Sequence, residues 1–251
     1  IGLPAASHGN IFASAFEGEE ISNTSDYFKM PANIFIEGRP AGLFYGFRTN
    51  GIVTQEAIDK GLVPTYRGQQ LQPGDIWYLD TDGSGNVDDM DKEVIGDPNP
   101  SFTYGFSTSF RWKSLSLSMM FDGVYGNQIA NGNLLPETNT SPTGNNLHNV
   151  RTEAYLGAWS ESNQDARYPR LNRTAGQTKD FTDRILENGS YMRLSAVTLS
   201  YQFNFKRTSV VKNLGLSFTV RNAFTWSSYS GWDPEVSSFT NNALKVGVDW
   251  S

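Results

Sequence analysis

The feature that most constrains the fold of this chain is a strict two-residue alternation of apolar and polar side chains. It begins with Phe102, Tyr104, Phe106, Thr108 and Phe110 at even positions, separated by Ser, Thr and Gly at odd positions. After a polar turn predicted at Arg111–Ser114, apolar side chains resume at Leu115, Leu117, Met119 and Phe121. Because successive side chains of a β-strand point to opposite faces, the pattern predicts two antiparallel strands of about ten residues joined by a tight turn.

A second pair of strands follows the same plan. Its first strand carries Val197, Leu199, Tyr201, Phe203 and Phe205 at alternate positions. A polar and basic turn is predicted at Lys206–Asn213. The second strand then carries Leu214, Leu216, Phe218 and Val220, and Phe224 and Trp226 continue its apolar phase.

Strand length and composition favour a membrane barrel. Hydrophobic residues are 38% of the chain and charged residues 18%, both low for a soluble globular domain. A transmembrane barrel has such a composition because only its outer face is apolar, and about 9–11 residues let a tilted strand cross the bilayer. The alternation alone leaves a soluble β-domain equally open.

The unequal lengths of the connections also favour an all-β, antiparallel transmembrane β-barrel. The turns at Arg111–Ser114 and Lys206–Asn213 are short and predicted to be periplasmic, whereas the segment from Gly123 to Gly189 is long and predicted to be mainly extracellular. The remaining segments, such as Leu71–Gly74, read as turn-punctuated loops, with one short helical turn at Gln55–Gly61. The side chains predicted to face lipid are Phe102, Tyr104, Phe106, Leu115, Leu117, Leu216 and Phe218.

Several functional classes are disfavoured by the composition. The net charge is −6 and no basic cluster occurs, which excludes nucleic acid as an expected partner. No cysteine is present, so disulfide frameworks and thiol metal sites are excluded. The two histidines, His8 and His148, lack ligand spacing. The chain opens at Ile1 with no signal peptide, so a cell-surface protein with this sequence is expected to be a fragment or a processed chain, and a fragment is the interpretation taken.

One segment, residues 80–91, has the spacing of a calcium loop. Oxygen donors stand at its first, third and fifth positions, Gly85 stands at the sixth, and the seventh offers a backbone carbonyl. The predicted Ca²⁺ ligands are Asp80, Asp82, Ser84, Asn86, Asp88 and Asp91. Asp91 occupies the twelfth position, where Glu is usual. The flanking residues Ile76–Leu79 look extended, so the loop is EF-hand-like without an EF-hand pair, and a turn that binds no metal is the alternative.

No catalytic constellation is predicted. The chain contains no nucleophile elbow, no Walker loop and no zinc-protease motif, and nothing selects one carboxylate pair as a glycosidase site. The aromatic residues Trp159, Tyr168, Tyr229 and Trp232 are candidates for stacking on a sugar ring, with packing or interfacial anchoring as the alternative. The chain is therefore not expected to be an enzyme.

Several motifs together resemble the SusC/RagA family of TonB-linked outer-membrane importers. Glu37–Phe47 (EGRPAGLFYGF) is similar to the family pattern G-x-P-x-G-x-F-Y-G-Y. The block from Gly74 to Phe106 is similar to G-D-I-x-Y-x-D followed by V-I-G-x-P-x-P-x-F-x-Y-G-F. Further similarities are Trp159–Leu171 to W-x-x-x-N and Y-P-R, Tyr191–Leu194 to Y-L-R-L, and Arg221–Glu235 to x-N-L-F-x-x and G-x-D-P-E.

The resemblance implies a fold and a function for the whole protein. Members of this family form 22-stranded barrels in the outer membrane of Bacteroidota, with an N-terminal plug and a TonB box. They import oligosaccharides or peptides beneath a SusD-like surface lipoprotein, driven by TonB. Residues 1–251 would then be the C-terminal part of such a barrel, lacking plug and final strand, with the calcium loop 80–91 in an extracellular loop. The alternatives are a soluble, secreted carbohydrate-binding β-domain with a structural calcium, and a glycoside hydrolase.

Overall fold

The computed structural model describes residues 32–36, 38–134, 150–171, 180–205, 211, 213–236 and 247–249. The chain divides into two compact units. The first comprises Ile1–Asn99, Ile129–Glu187 and Val236–Ser251, and the second comprises Pro100–Gln128 and Asn188–Glu235. His8, His148 and most of the predicted turn Lys206–Asn213 lie outside the described residues.

Strands dominate the described part of the chain. In chain order they are β1 (Asn33–Ile34), β2 (Leu43–Gly46), β3 (Thr49–Ile52), β4 (Thr65–Tyr66), β5 (Ile76–Tyr78), β6 (Asn86–Val87), β7 (Glu93–Gly96), β8 (Phe102–Trp112), β9 (Leu115–Tyr125), β10 (Gln128–Asn131), β11 (Leu186–Asn188), β12 (Tyr191–Asn204), β13 (Asn213–Ser227) and β14 (Val248–Asp249). Two short α-helices, α1 (Gln55–Asp59) and α2 (Thr152–Leu156), and 3-10 turns at Asp89–Asp91 and Asp183–Ile185 accompany them. Among these residues, no helix has the length and apolarity needed to span a membrane.

The second unit contains a four-stranded antiparallel sheet in the order β13-β12-β9-β8. Its register places the apolar side chains of neighbouring strands opposite one another, as in the row Phe110, Leu117, Leu199 and Phe218. The intervening rows are polar, as in Ser109, Ser118, Thr198 and Thr219. The sheet therefore has one apolar face, exposed in this chain, and one mainly polar face, as the alternation predicts.

Aromatic contacts reinforce the apolar face. The rings of Phe106 and Phe121 stack at 4.6 Å across β8 and β9. Tyr104 lies over Gly123, where an added Cβ would come within 2.5 Å of its ring. The Tyr104 hydroxyl donates a hydrogen bond to the carbonyl of Tyr191 at 3.1 Å. The glycine therefore makes room for a tyrosine that ties three strands together.

A β-bulge interrupts the alternation at Ser195. The register of β12 shifts between Leu194 and Ala196 against both of its neighbours, and the Ser195 hydroxyl donates to the carbonyl of Met120 at 3.0 Å. On β13, Asn222 adopts a left-handed conformation with φ of 49°. The bulge moves the apolar phase of β12 from even to odd positions, so the two faces of the sheet stay continuous.

The turn between β8 and β9 is tighter than predicted. Arg111 and Trp112 were expected in a four-residue turn, but both pair within the sheet, opposite Ser116 and Leu115. Only Lys113 and Ser114 connect the strands, and Lys113 has a φ of 54°. A two-residue hairpin turn requires such positive φ values. The backbone twist of this turn matches the twist of the two strands, so pairing continues up to the turn.

The first unit has its own hydrophobic core. Its fully buried members include Phe44, Phe47, Tyr66, Tyr78 and Phe181. Tyr66 stacks on Tyr78 at 5.0 Å, and Phe47 meets the edge of Tyr78 at 5.5 Å.

Residues 71–74 form a loop with a turn, as predicted. The long loop predicted from Gly123 to Gly189 is different, because it also contains strands β10 and β11, helix α2 and buried core residues such as Ala130 and Phe181. The strands of the first unit are two to four residues long and pair across large sequence separations, so they leave no local periodicity to read.

Candidate functional site

The acidic loop 80–91 follows β5 and is closed by its own backbone. The Asp80 carboxylate accepts hydrogen bonds from the amides of Gly83, Ser84 and Gly85 at 2.8, 3.1 and 2.7 Å. Gly83 and Gly85 have φ values of 73° and 81°, which only glycine adopts without strain. Gly85 therefore fills the turning position that the spacing predicts.

Asp91 closes the other end of the loop. Its side chain is fully buried, and its carboxylate accepts from the amides of Thr81 and Asp88 at 2.7 and 2.8 Å. Asp88 in turn caps the 3-10 turn Asp89–Asp91 by accepting from the amide of Met90 at 2.9 Å. The two ends of the loop are thus joined through one buried carboxylate.

The structure brings three of the six predicted ligands together. Carboxylate oxygens of Asp80, Asp82 and Asp91 all lie within 4.8 Å of one another. Asp88 is not part of this group. The Ser84 hydroxyl donates to the carbonyl of Asn86 at 2.9 Å. The Ser84 amide donates to the carboxylate of Asp82 at 2.9 Å, and hydrogen bonding from Ser84 lowers the pKa of Asp82.

The side chain of Asn86 links the loop to strand β4, and its amide nitrogen also donates to the Asp88 carboxylate at 3.4 Å. The Asn86 side-chain oxygen accepts from the amide of Gly68 at 2.7 Å and from the hydroxyl of Thr65 at 2.9 Å. The side-chain oxygen therefore holds β6 beside β4, and the backbone carbonyl accepts from the Ser84 hydroxyl within the loop.

The three grouped carboxylates are compatible with a calcium ion. Oxygens bound to one Ca²⁺ at about 2.3–2.6 Å lie at most about 5 Å apart, and the observed separations of at most 4.8 Å meet this limit. All the donors are oxygens, which hard cations prefer. The same hydrogen bonds also suit a turn without metal, because backbone amides offset part of the carboxylate repulsion.

The loop is attached to the core of the first unit. The amide of Arg67 donates to the carbonyl of Val87 at 2.9 Å, and the Arg67 guanidinium lies 3.5 Å from the carboxylates of both Asp89 and Asp180. Asp180 is buried and accepts hydrogen bonds from the hydroxyls of Tyr66 and Tyr78. Burial and the neighbouring Asp180 charge raise the pKa of Tyr66, which keeps this phenol protonated as a donor.

A second polar cluster lies at one end of the four-stranded sheet. Arg193 on β12 is buried and forms ion pairs with Asp233 and Glu235, which follow β13. Its guanidinium also donates to the hydroxyl of Thr225 at 3.2 Å. Sequence reasoning noted both segments but not their pairing. Strand β12 begins at Tyr191, six residues before the first residue of the predicted alternation, so Arg193 was not assigned to a strand in the sequence.

The four aromatic residues singled out in the sequence have different surroundings. Trp159 packs against Gly74, and Tyr168 packs against Gly157, where added Cβ atoms would come within 2.5 and 3.0 Å of the rings. Tyr229 is buried. These three residues therefore pack within the fold, whereas Trp232 is 91% exposed.

Comparison with known proteins finds relatives over most of this chain, although no family model matches it. TonB-dependent receptor P3 of Formosa agariphila is 29% identical over 89% of this chain and 22% of its own length. TonB-dependent receptor SusC of Bacteroides thetaiotaomicron is 28% identical over 66% of this chain and 16% of its own length. The chain spans about a fifth of the length of these curated relatives.

Solved structures give the same result. The RagAB peptide importer in its closed-closed state has a TM-score of 0.62 at 25% identity, over 87% of this chain and 22% of that one. A structure of the RagAB peptide transporter has a TM-score of 0.65 at 22% identity, over 89% of this chain and 22% of that one.

These relatives are receptors and transporters of the outer membrane. The resemblance to SusC and RagA, the all-β fold of the barrel transporters and the outer-membrane location predicted from the sequence are therefore confirmed. The expectation of a non-enzymatic protein agrees with these relatives, which are named as receptors and importers and not as enzymes. The alternatives of a soluble carbohydrate-binding domain and a glycoside hydrolase find no support among these relatives.

Proposed function

We propose, from the similarity of this chain to TonB-dependent receptors of the SusC and RagA type, that the protein containing it imports a nutrient across the outer membrane. The observation that carries the proposal is the match over most of the chain, which includes a sheet with one apolar and one polar face. That division suits strands between lipid and a polar lumen. The cargo is an oligosaccharide or a peptide.

The proposal includes two protein partners. A SusD-like lipoprotein would close the extracellular side, and TonB would supply energy from the periplasmic side. SusC and the RagAB complex, which the chain resembles, support this arrangement.

Uptake measurements in the native host test the import function. Deleting the gene should abolish growth on, or uptake of, at least one oligosaccharide or peptide mixture, and the full-length gene should restore it. Deleting TonB should reproduce the defect, whereas diffusion of small sugars through porins should not change. Unchanged uptake across a broad panel of both cargo classes in the deletion strain would contradict the proposal.

We also propose that the acidic loop holds one structural Ca²⁺. The grouped carboxylates of Asp80, Asp82 and Asp91, the carbonyl of Asn86 and the nearby Ser84 and Asp88 supply enough oxygens for a six- or seven-coordinate ion. Magnesium fits less well, because its octahedral shell retains waters and accepts few protein ligands. The ion would stiffen an extracellular loop and take no part in chemistry.

A further inference from the structure

All the acidic residues of the second unit gather around one arginine. Asp122, Asp233 and Glu235 are the only Asp or Glu residues in this unit. Asp233 and Glu235 form ion pairs with Arg193, and Asp122 on β9 stands directly opposite Arg193 on β12. The charges of all four side chains act on the hydroxyl of Tyr191. One cation is therefore shared among three anions at this end of the sheet.

The two acidic residues that follow β13 belong to a segment folded over the polar face of the sheet. We call this segment, residues 228–235, the strap. Arg193, to which its carboxylates bind, shares the polar face with Asp122, as the cross-strand register requires. On β12, Tyr191 and Arg193 are buried, whereas residues 202–204 at the other end of the strand are exposed. The strap therefore covers one end of the polar face.

The attachment of the strap is mainly ionic. No residue of the strap belongs to a strand of the described structure, so ladder hydrogen bonds do not hold it. Its carboxylates remain accessible to water, because the side chains of Asp233 and Glu235 are 61% and 60% exposed. Solvent-exposed carboxylates contribute little to an ion pair and lose their partner readily. The strap can therefore leave the sheet without unfolding it.

Arg193 has a second partner within reach on the sheet itself. Asp122 faces it, yet Asp122 forms no ion pair with any residue that the structure describes. Side chains directly opposite each other on antiparallel strands have Cβ atoms about 4.5–5.5 Å apart, a distance that an arginine side chain spans. Asp122 repels the strap carboxylates while the strap is in place, and it can neutralise Arg193 once the strap has left.

We propose that the strap is a gate over the polar face, which opens when Arg193 exchanges Asp233 and Glu235 for Asp122. The inference rests on the proposed import function, because the polar face of a barrel strand lines the passage. A buried arginine left without any carboxylate would make opening costly. The exchange avoids this cost, since Arg193 is paired in both positions of the strap. The two positions thus form the pair of states that a gate requires.

Hydrogen exchange of the full-length protein in detergent measures the opening of the strap. Mass spectrometry follows the peptides that cover residues 228–235. The wild type is compared with Asp122→Asn, with Asp122→Glu and with a double variant that carries Asp233→Asn and Glu235→Gln. Asp59→Asn makes the same chemical change at an exposed aspartate of the first unit and is the matched control.

Asp122→Asn should slow exchange of the strap about threefold, because the open position loses a cross-strand ion pair. Asp122→Glu keeps the charge and should stay near the wild type. The double variant should exchange at least about threefold faster, since the strap has lost its carboxylates, and Asp59→Asn should not change. A carboxylate that only stabilised the fold would not slow opening when removed. Unchanged or faster exchange in Asp122→Asn would therefore overturn the change of partners.

Uptake of the cargo that the deletion strain fails to import tests the gate. At equal amounts of protein in the outer membrane, Asp122→Asn should slow uptake, and Asp122→Glu should restore it. Slower exchange with unchanged uptake would overturn the role of the strap as a gate and leave the import function intact. A deletion strain without any uptake defect would contradict the import function itself, and hydrogen exchange would still decide whether Arg193 changes partners.

Discussion

At the scale of single residues, the acidic loop makes a direct prediction about metal binding. Replacing both Asp80 and Asp82 by alanine removes two of the three grouped carboxylates and should weaken Ca²⁺ binding by at least about tenfold, because affinity depends on the count of charged ligands. Isothermal calorimetry on the chelated full-length protein measures this. Replacing Asp59 and Asp165, two exposed aspartates outside the loop, is the matched control. Absence of calcium binding heat in the wild type would contradict the proposal.

The buried Asp180 predicts a large loss of stability on substitution. Asp180→Asn removes the charge that pairs with Arg67 and accepts from two tyrosine hydroxyls. The Arg67 side chain is 37% exposed, so the loss of its ion pair contributes little. The main cost is the loss of a charged acceptor for the two tyrosine hydroxyls, on the order of 2–3 kcal/mol. Tyr78→Phe removes a single hydrogen bond and should cost about 1 kcal/mol. Denaturant unfolding of the full-length protein gives both values, and equal losses in the two variants would argue against a stabilising role of the Asp180 charge.

At the scale of elements, the two faces of the long strands predict opposite effects of a charge. Phe106 lies on the apolar face of β8 and Ser107 on the polar face. An arginine at position 106, near mid-strand, should disfavour membrane insertion by about 2–4 kcal/mol, whereas an arginine at position 107 should be tolerated. The amount of folded full-length protein in the outer membrane reports the difference. Similar levels for both variants would show that the faces are assigned incorrectly.

The hairpins could be predicted because the residues that specify each of them lie close together in the sequence. The alternation in β8, β9, β12 and β13 fixes both strand type and facing, and residues that pair within each hairpin are close in sequence. The bulge at Ser195 was not predictable, because a change of phase within a strand resembles the end of one strand and the start of another. The hydrogen bonds to Asp180 join residues 102 and 114 positions apart, and no short pattern encodes such contacts.

In the candidate site, too, the sequence predicted some features, and others became visible only in the structure. The acidic loop could be predicted from the spacing of its oxygen donors, because all of them lie within twelve consecutive residues. Its hydrogen bonds required the structure, because they show that Asn86 turns its side chain toward β4 and that Asp88 lies outside the carboxylate group. The cluster around Arg193 depends on residues from two strands and the segment after β13, so spacing alone did not reveal it.

At the scale of the whole molecule, the proposed barrel predicts which segments reach the cell surface. Cysteines introduced singly at Ser114 and at Glu153, an exposed residue of α2, can be probed on intact cells with an impermeant thiol reagent. Labelling is expected at position 153 and not at position 114, because short hairpin turns face the periplasm in outer-membrane barrels. Labelling of both after permeabilisation is the control. Labelling of position 114 alone on intact cells would invert the proposed orientation.

The strand order of the four-stranded sheet also sets an order of folding. Strands β8 and β9 are joined by two residues, whereas β9 and β12 pair across residues 126–190. Closing the longer loop costs more chain entropy, by about 0.6 kcal/mol for each doubling of its length. The β8–β9 hairpin should therefore form early, on the microsecond timescale of isolated hairpins. The seam between β9 and β12 should close later, once the intervening segment has collapsed, so mutations at this seam should slow folding more than those within the hairpin.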